Sequence, residues 1–179
     1  MVFRRGEWLL LAATAIAYLA FMPERWLIER RAGCGFIAPD MNFPPDFAVY
    51  GAAKACLTGN GGAGLDAFSR WHSLGLDLVF PALLAFAATV IVLRIGNGLP
   101  RFSALGSNVK WLAAAVLPLT YAVADYVENW NVICWLKSGD DVLLPLISTL
   151  TTLKFAALIV AATIAVALFL STLKHKRLS

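Results

Sequence analysis

The segment YAVADYVENW, residues 121–130, places two acids and an amide in a stretch that is otherwise almost purely apolar. Asp125, Glu128 and Asn129 stand at positions i, i+3 and i+4, which puts them on one face of a helix. A charge in the middle of a bilayer costs about 3 kcal/mol on insertion scales, so this face should turn toward a bundle interior or toward water. The pattern is typical of an internal ionic cluster or of a site for a ligand, an ion or a reaction.

Ionisable residues in other apolar segments fall at a similar depth. Counting from the predicted cytoplasmic helix ends at about 1.5 Å per residue puts Asp77, Glu128 and Lys154 about 25 Å along their helices. Lys154 could offset one or two of the acids, and His72 could reach the rim of the same layer. We therefore predict an ionisable cluster in the outer part of a bundle, formed by Asp77, Asp125, Glu128, Asn129, Lys154 and His72.

A simpler interpretation of these residues stays open. Asp77 and Asp141 each begin a D-x-x-x-P segment, and an aspartate near a helix N-terminus is often only a cap or a partner for the helix dipole. Asp125 and Glu128 could lie at the membrane interface, where NWNVICW supplies an aromatic belt. Interfacial packing, a structural ion cluster and a functional site are all compatible with the pattern.

Composition indicates which elements must position these residues. Hydrophobic residues make up 60% of the 179, charged residues 15%, and the mean hydropathy is +0.73, more apolar surface than one small soluble core can hide. A helix needs about 20 apolar residues to cross the hydrocarbon core. We predict an all-α polytopic membrane protein: a single transmembrane domain over 1–179, with a four-transmembrane-helix up-down bundle. The helices are expected at about 8–28, 74–95, 111–136 and 142–173, with a long exoplasmic loop at about 29–70 between helices 1 and 2.

Basic residues flank the apolar segments, and they do not form a surface interleaved with aromatic residues. The net charge of +4 therefore favours membrane orientation and argues against nucleic acid as a partner. The KHKR tail and the acid-free segment between the second and third helices predict a multi-pass protein of the cell (inner) membrane with both termini cytoplasmic. Arg4 and Arg5 precede the first apolar run as in a signal peptide, but Ala13-Thr14-Ala15 lies inside the run, which favours an uncleaved anchor.

The cysteines fit this orientation. Cys34 and Cys56 both fall in the predicted exoplasmic loop, where an oxidising compartment allows a disulfide. Cys134 lies near the outer end of the third predicted helix, so other pairings are open as well. We favour a Cys34–Cys56 bond, with free thiols as the alternative.

Two motifs carry a resemblance to a known group of proteins. LDLVFPALLAF, followed by ADYVEN, resembles a family of small uncharacterised bacterial four-helix integral membrane proteins with Asp before Phe-Pro in one helix and Asp-x-x-Glu-Asn in the next. The resemblance covers residues 76–129. It implies a four-helix fold and no particular activity, and it points to Asp77, Pro81, Asp125, Glu128 and Asn129.

The sequence leaves two functional hypotheses. The first is a non-enzymatic transport, binding or accessory component, and the second is a membrane-embedded, metal-assisted enzyme opening to the exoplasmic side. His72 and His175 are the only histidines, which disfavours a typical zinc enzyme, so we assign no metal ligands. The alternative is an oxygen-rich metal site formed by His72, Asp77, Asp125 and Glu128. No cofactor is indicated. Membrane lipid is the expected partner, and a protein partner or a homo-oligomer stays open.

Overall fold

The computed structural model describes residues 4–35 and 38–178, with side chains up to residue 174, and every regular element in that part of the chain is helical. Short 3₁₀ turns at Pro39–Met41, Asn60–Gly62 and Asp141–Leu143 precede α2, α3 and α7, and a π-helix, Phe68–Leu76, joins α3 to α4. The α-helices are α1 (Arg5–Ala32), α2 (Phe47–Thr58), α3 (Ala63–Ala67), α4 (Asp77–Gly96), α5 (Pro100–Ser103), α6 (Ser107–Ser138) and α7 (Leu144–Leu178).

Three helical segments are long and apolar enough to cross a membrane: Arg5–Ala32, Asn60–Gly96 and Asp141–Lys174. Large apolar side chains stand exposed along them, among them Leu9 and Phe169. Such a surface is suited to hydrocarbon, because a soluble monomer rarely exposes apolar patches of this extent. The 32-residue α6 packs against α4 and α7 and carries acids and amides among its apolar residues.

The second long helical segment begins earlier than predicted. We expected a loop over 29–70, but α2 and α3 both lie inside that range, and the π-helix continues α3 into α4. The glycine-rich TGNGGAG is only a tight reversal, with φ of 47°, 67° and 77° at Asn60, Gly61 and Gly62. Because glycine accepts positive φ without a steric penalty, two helices can follow each other here with almost no loop.

Helix α2 lies across one end of the bundle, which we call the capped end. Asp46 begins the helix by accepting a hydrogen bond from the Ala48 N–H at 2.8 Å. A disulfide between Cys34 and Cys56, with Cα atoms 5.9 Å apart, links the helix to the segment after α1. The buried face of α2 joins a core of ten residues: Ile28, Tyr50, Ala53, Leu57, Ala67, Phe68, Val132, Trp135, Leu136 and Ile147.

The middle of the bundle is packed through small residues. Ala85 of α4, Ala122 of α6 and Ala157 of α7 are buried around Tyr121. Small side chains let helix backbones approach closely, which is how helices associate where burial from water contributes little. The close approach of α4, α6 and α7 determines where their ionisable side chains meet.

Candidate functional site

Lys154 of α7 lies between two carboxylates of α6. Its Nζ is 2.8 Å from Asp125 Oδ1 and 2.7 Å from Glu128 Oε2. All three residues are buried, with Lys154 2% and Glu128 0% exposed. A buried charge is tolerated only when it is paired and hydrogen-bonded, so these three side chains stabilise one another as a group. We call this group the lysine cluster.

Neighbouring polar groups complete the lysine cluster. Asn129 donates from Nδ2 to Asp125 Oδ2 at 3.1 Å, and the Thr151 hydroxyl donates to Glu128 Oε1. Tyr50 of α2 places its hydroxyl 3.3 Å from the Thr151 Oγ1. Because Tyr50 is fully buried, α2 closes the lysine cluster from the capped end.

His72 forms a second buried group with three acids from different parts of the chain. Its Nδ1 is 3.1 Å from Glu24 Oε1 of α1, and its Nε2 is 3.2 Å from Asp40 Oδ1 and 2.9 Å from Asp77 Oδ2. All four residues are less than one-tenth exposed. We call this group the histidine cluster.

The π-helix explains how His72 reaches Asp77. The Asp77 N–H donates to the His72 carbonyl, five residues earlier, which is the hydrogen bond that defines a π-helix. In an α-helix, residues five apart point away from each other, whereas this wider turn stacks them on one face. Single π turns occur frequently at functional sites.

Asp40 couples the two clusters electrostatically. Burial by itself would raise the pKa of Asp40, but the positive charges of His72 and Lys154 and the hydrogen bond from His72 lower this pKa to about 2. The turn that carries Asp40, Pro39–Met41, packs against both α6 and α7. The histidine cluster and the lysine cluster therefore form one layer under α2.

Acids outnumber bases in this layer. Five buried carboxyl groups face two basic side chains among the described residues; the acids are Glu24, Asp40, Asp77, Asp125 and Glu128. Among the described residues, Glu24 Oε2 is buried and receives no hydrogen bond, and Asp77 Oδ2 has His72 Nε2 as its partner at 2.9 Å. Leaving a buried oxygen unsatisfied costs about 1–3 kcal/mol, more when it is charged, so the layer is suited to an additional proton or cation.

Every residue of the predicted cluster lies in this layer. The structure brings Asp125, Glu128, Asn129 and Lys154 together, and it places His72 with Asp77 in a separate centre. The other aspartate that begins a D-x-x-x-P segment, Asp141, is different: it is exposed and accepts hydrogen bonds from Lys54 and Trp135 at the start of α7. Asp141 therefore stands in the first turn, where it complements the helix dipole, while Asp140 caps that turn by accepting from the Val142 N–H; the capping interpretation does not describe Asp77.

Sequence reasoning missed Glu24, Asp40, Thr151 and Tyr50. The position of Glu24 could have been predicted. It lies about 28 Å along α1 from the helix start at Arg5, which is close to the distance of the other acids from their helix ends. Asp40 and Tyr50 had no such signal, because both lie in the segment expected to be a loop.

Comparisons of the chain with protein family models, with curated proteins and with solved structures find no match.

Proposed function

We propose that the chain is a multi-pass membrane protein with four spanning helices, α6 being the fourth. The acids of α6 do not prevent insertion, since Asp125 and Glu128 are buried against Lys154 and do not face the surroundings. The lipid-facing side of α6 is apolar, with Leu112, Leu119 and Val123 exposed. With both termini cytoplasmic, the capped end and its disulfide lie on the exoplasmic side of the inner membrane, where disulfides form.

Within that membrane protein, the buried layer serves a non-enzymatic binding or transport function, and its ligand is a cation. The observation that carries this proposal is the excess of buried carboxylates over buried bases in one layer. Intramembrane acids are costly to insert, and they mark ion and substrate pathways in membrane proteins. A cation would offset the negative charge of the buried carboxylates that Lys154 and His72 do not neutralise.

Thermal unfolding of the purified protein in detergent tests the proposal. A bound cation stabilises the folded state, so the unfolding temperature should rise and saturate as Na⁺, Ca²⁺, Mn²⁺ or Zn²⁺ is added at constant ionic strength. The rise should vanish in Asp77→Asn/Asp125→Asn and persist in Asp66→Asn, which removes an exposed carboxylate of α3. Flux of the stabilising cation into proteoliposomes then separates transport from binding. If no cation raises the unfolding temperature, the proposal is wrong.

A further inference from the structure

The histidine cluster contains three ligand atoms that lie close enough together to bind one metal ion. The Nε2 of His72, a carboxylate oxygen of Asp40 and a carboxylate oxygen of Asp77 all lie within 4.8 Å of one another. Two ligands bound about 2.1 Å from one metal ion, at tetrahedral or octahedral angles, are about 3.0–3.4 Å apart. The distances from His72 Nε2, 3.2 Å to Asp40 and 2.9 Å to Asp77, agree with that spacing.

Glu24 orients the imidazole for such a role. Its Oε1 lies 3.1 Å from His72 Nδ1 and accepts the Nδ1–H, so when the imidazole is neutral the lone pair of Nε2 is directed at the two aspartates. Metal-binding histidines almost always donate their other ring N–H to a carboxylate or a carbonyl in this way. Phe21 and Phe68 pack against the ring and hold its plane.

Hydrogen bonding alone does not satisfy this centre. If Nε2 carries a proton, that one hydrogen is shared between Asp40 Oδ1 at 3.2 Å and Asp77 Oδ2 at 2.9 Å, so it does not fully satisfy both carboxylates. Asp77 is 4% exposed, so water does not readily supply a second donor. If Nε2 carries no proton, its lone pair faces two carboxylates, and a metal ion between them relieves the repulsion without requiring a proton on either carboxylate.

We propose that Asp40, His72 and Asp77 bind one divalent metal ion of the class that takes mixed nitrogen and oxygen ligands, such as Zn²⁺ or Mn²⁺. One imidazole with two carboxylates suits these ions, whereas Ca²⁺ and Mg²⁺ prefer oxygen ligands throughout. This inference rests on the proposed function. It identifies the cation as a divalent metal ion and the histidine cluster as the part of the layer that binds it. The lysine cluster has its own cation in Lys154 and is not part of the metal site.

Metal binding to the purified full-length protein tests this. We expect one equivalent of Zn²⁺ or Mn²⁺ per chain after dialysis, and X-ray absorption of the zinc form should show one imidazole among oxygen ligands. His72→Gln and Asp77→Asn should each abolish stoichiometric binding, and Glu24→Gln should weaken it by about 10–100-fold. His175→Gln, which removes the other histidine of the sequence, and Asp66→Asn are the matched controls and should bind normally.

The outcomes separate the metal site from the proposed function. Absence of stoichiometric binding, unchanged binding in His72→Gln or Asp77→Asn, or a zinc spectrum without imidazole overturns the metal site. If a cation stabilises the protein and only Asp125→Asn or Glu128→Gln removes the effect, the metal site is wrong and the proposed function stands. If His72→Gln and Asp77→Asn do not fold, the X-ray absorption spectrum of the wild-type zinc form tests the metal site by itself.

Discussion

His72 and Asp77 are five residues apart in the chain, and their side chains meet, with Nε2 2.9 Å from Oδ2. The contact depends on the π-helix Phe68–Leu76, which ends where α4 begins. π-helices are rare, and this one brings two ionisable side chains that are five residues apart into contact. The meeting of these two residues places the histidine cluster beside the lysine cluster, in one layer.

Lys154→Met should strongly destabilise the protein. The substitution leaves Asp125 and Glu128 buried without their cation, and breaking a buried ion pair by removing one partner costs about 3–5 kcal/mol. Thermal unfolding in detergent measures the loss. Lys137→Met, which removes an exposed lysine at the end of α6, is the matched control and should change the unfolding temperature little.

Neutralising the acids should restore that stability. In Lys154→Met combined with Asp125→Asn and Glu128→Gln, the orphaned charges are gone, so the unfolding temperature should return most of the way to that of the wild type. Glu128→Gln alone should destabilise less than Lys154→Met, because Lys154 keeps Asp125 as a partner, and adding Lys154→Met to it should destabilise further by leaving Asp125 without its cation. Equal unfolding temperatures for Lys154→Met and the wild type would show that the ion pairs do not stabilise the fold.

Reducing the Cys34–Cys56 bond should loosen the capped end. The two cysteines are 22 residues apart in the sequence, and a disulfide that closes a loop of this length stabilises by about 3 kcal/mol. Mass spectrometry without reductant should show the two peptides linked, and Cys34→Ser/Cys56→Ser should unfold at a lower temperature. Cys134→Ser is the control for loss of a thiol. Alkylation of both thiols in unreduced protein would contradict the bond.

Cysteine labelling should place the capped end outside the cell membrane. Asn60→Cys lies in the reversal after α2, and Leu105→Cys lies in the connection between α5 and α6; both positions are exposed. In a Cys134→Ser background with the disulfide intact, a membrane-impermeant maleimide should modify position 60 in intact spheroplasts and position 105 only after permeabilisation. Labelling of position 105 in intact spheroplasts would reverse the orientation.

Tyr50 should make the fold sensitive to alkaline pH. Burial raises the pKa of the Tyr50 hydroxyl above its ordinary value. Below about pH 10 the hydroxyl is neutral in the folded and the unfolded protein, so it adds no pH dependence. At higher pH the unfolded chain ionises first, which favours unfolding, so the free energy of unfolding should fall as the pH rises.

The comparison of Tyr50→Phe with the wild type isolates this effect. At pH 7 the variant should be less stable by about 1 kcal/mol, because the hydrogen bond to Thr151 is lost. Between about pH 10 and pH 11 the difference should shrink, since phenylalanine has no hydroxyl to ionise. A difference that stays constant across this pH range would contradict the prediction.

The sequence by itself determined the helical class, three helical segments long and apolar enough to cross a membrane, and the similar positions of Asp77, Asp125, Glu128 and Lys154 along their helices. These features are local: apolar length decides which segments can span, and the fixed rise of a helix converts residue number into depth. The i, i+3, i+4 spacing on α6 is local as well, so the shared face of Asp125, Glu128 and Asn129 could be predicted. The capping interpretation of Asp77 failed because a sequence position near a helix start does not reveal what packs against it.

Only the tertiary structure decided which partners these residues have. His72 contacts Glu24 and Asp40, which lie 48 and 32 residues away in the sequence, and Tyr50 contacts Thr151 across 101 residues. Such contacts depend on how α1, α2 and the turn at Pro39–Met41 pack onto the bundle. Periodicity within one helix carries no information about that packing. The layer is therefore two centres, one around His72 and one around Lys154, because α1 and the turn supply acids to the first and α6 supplies them to the second.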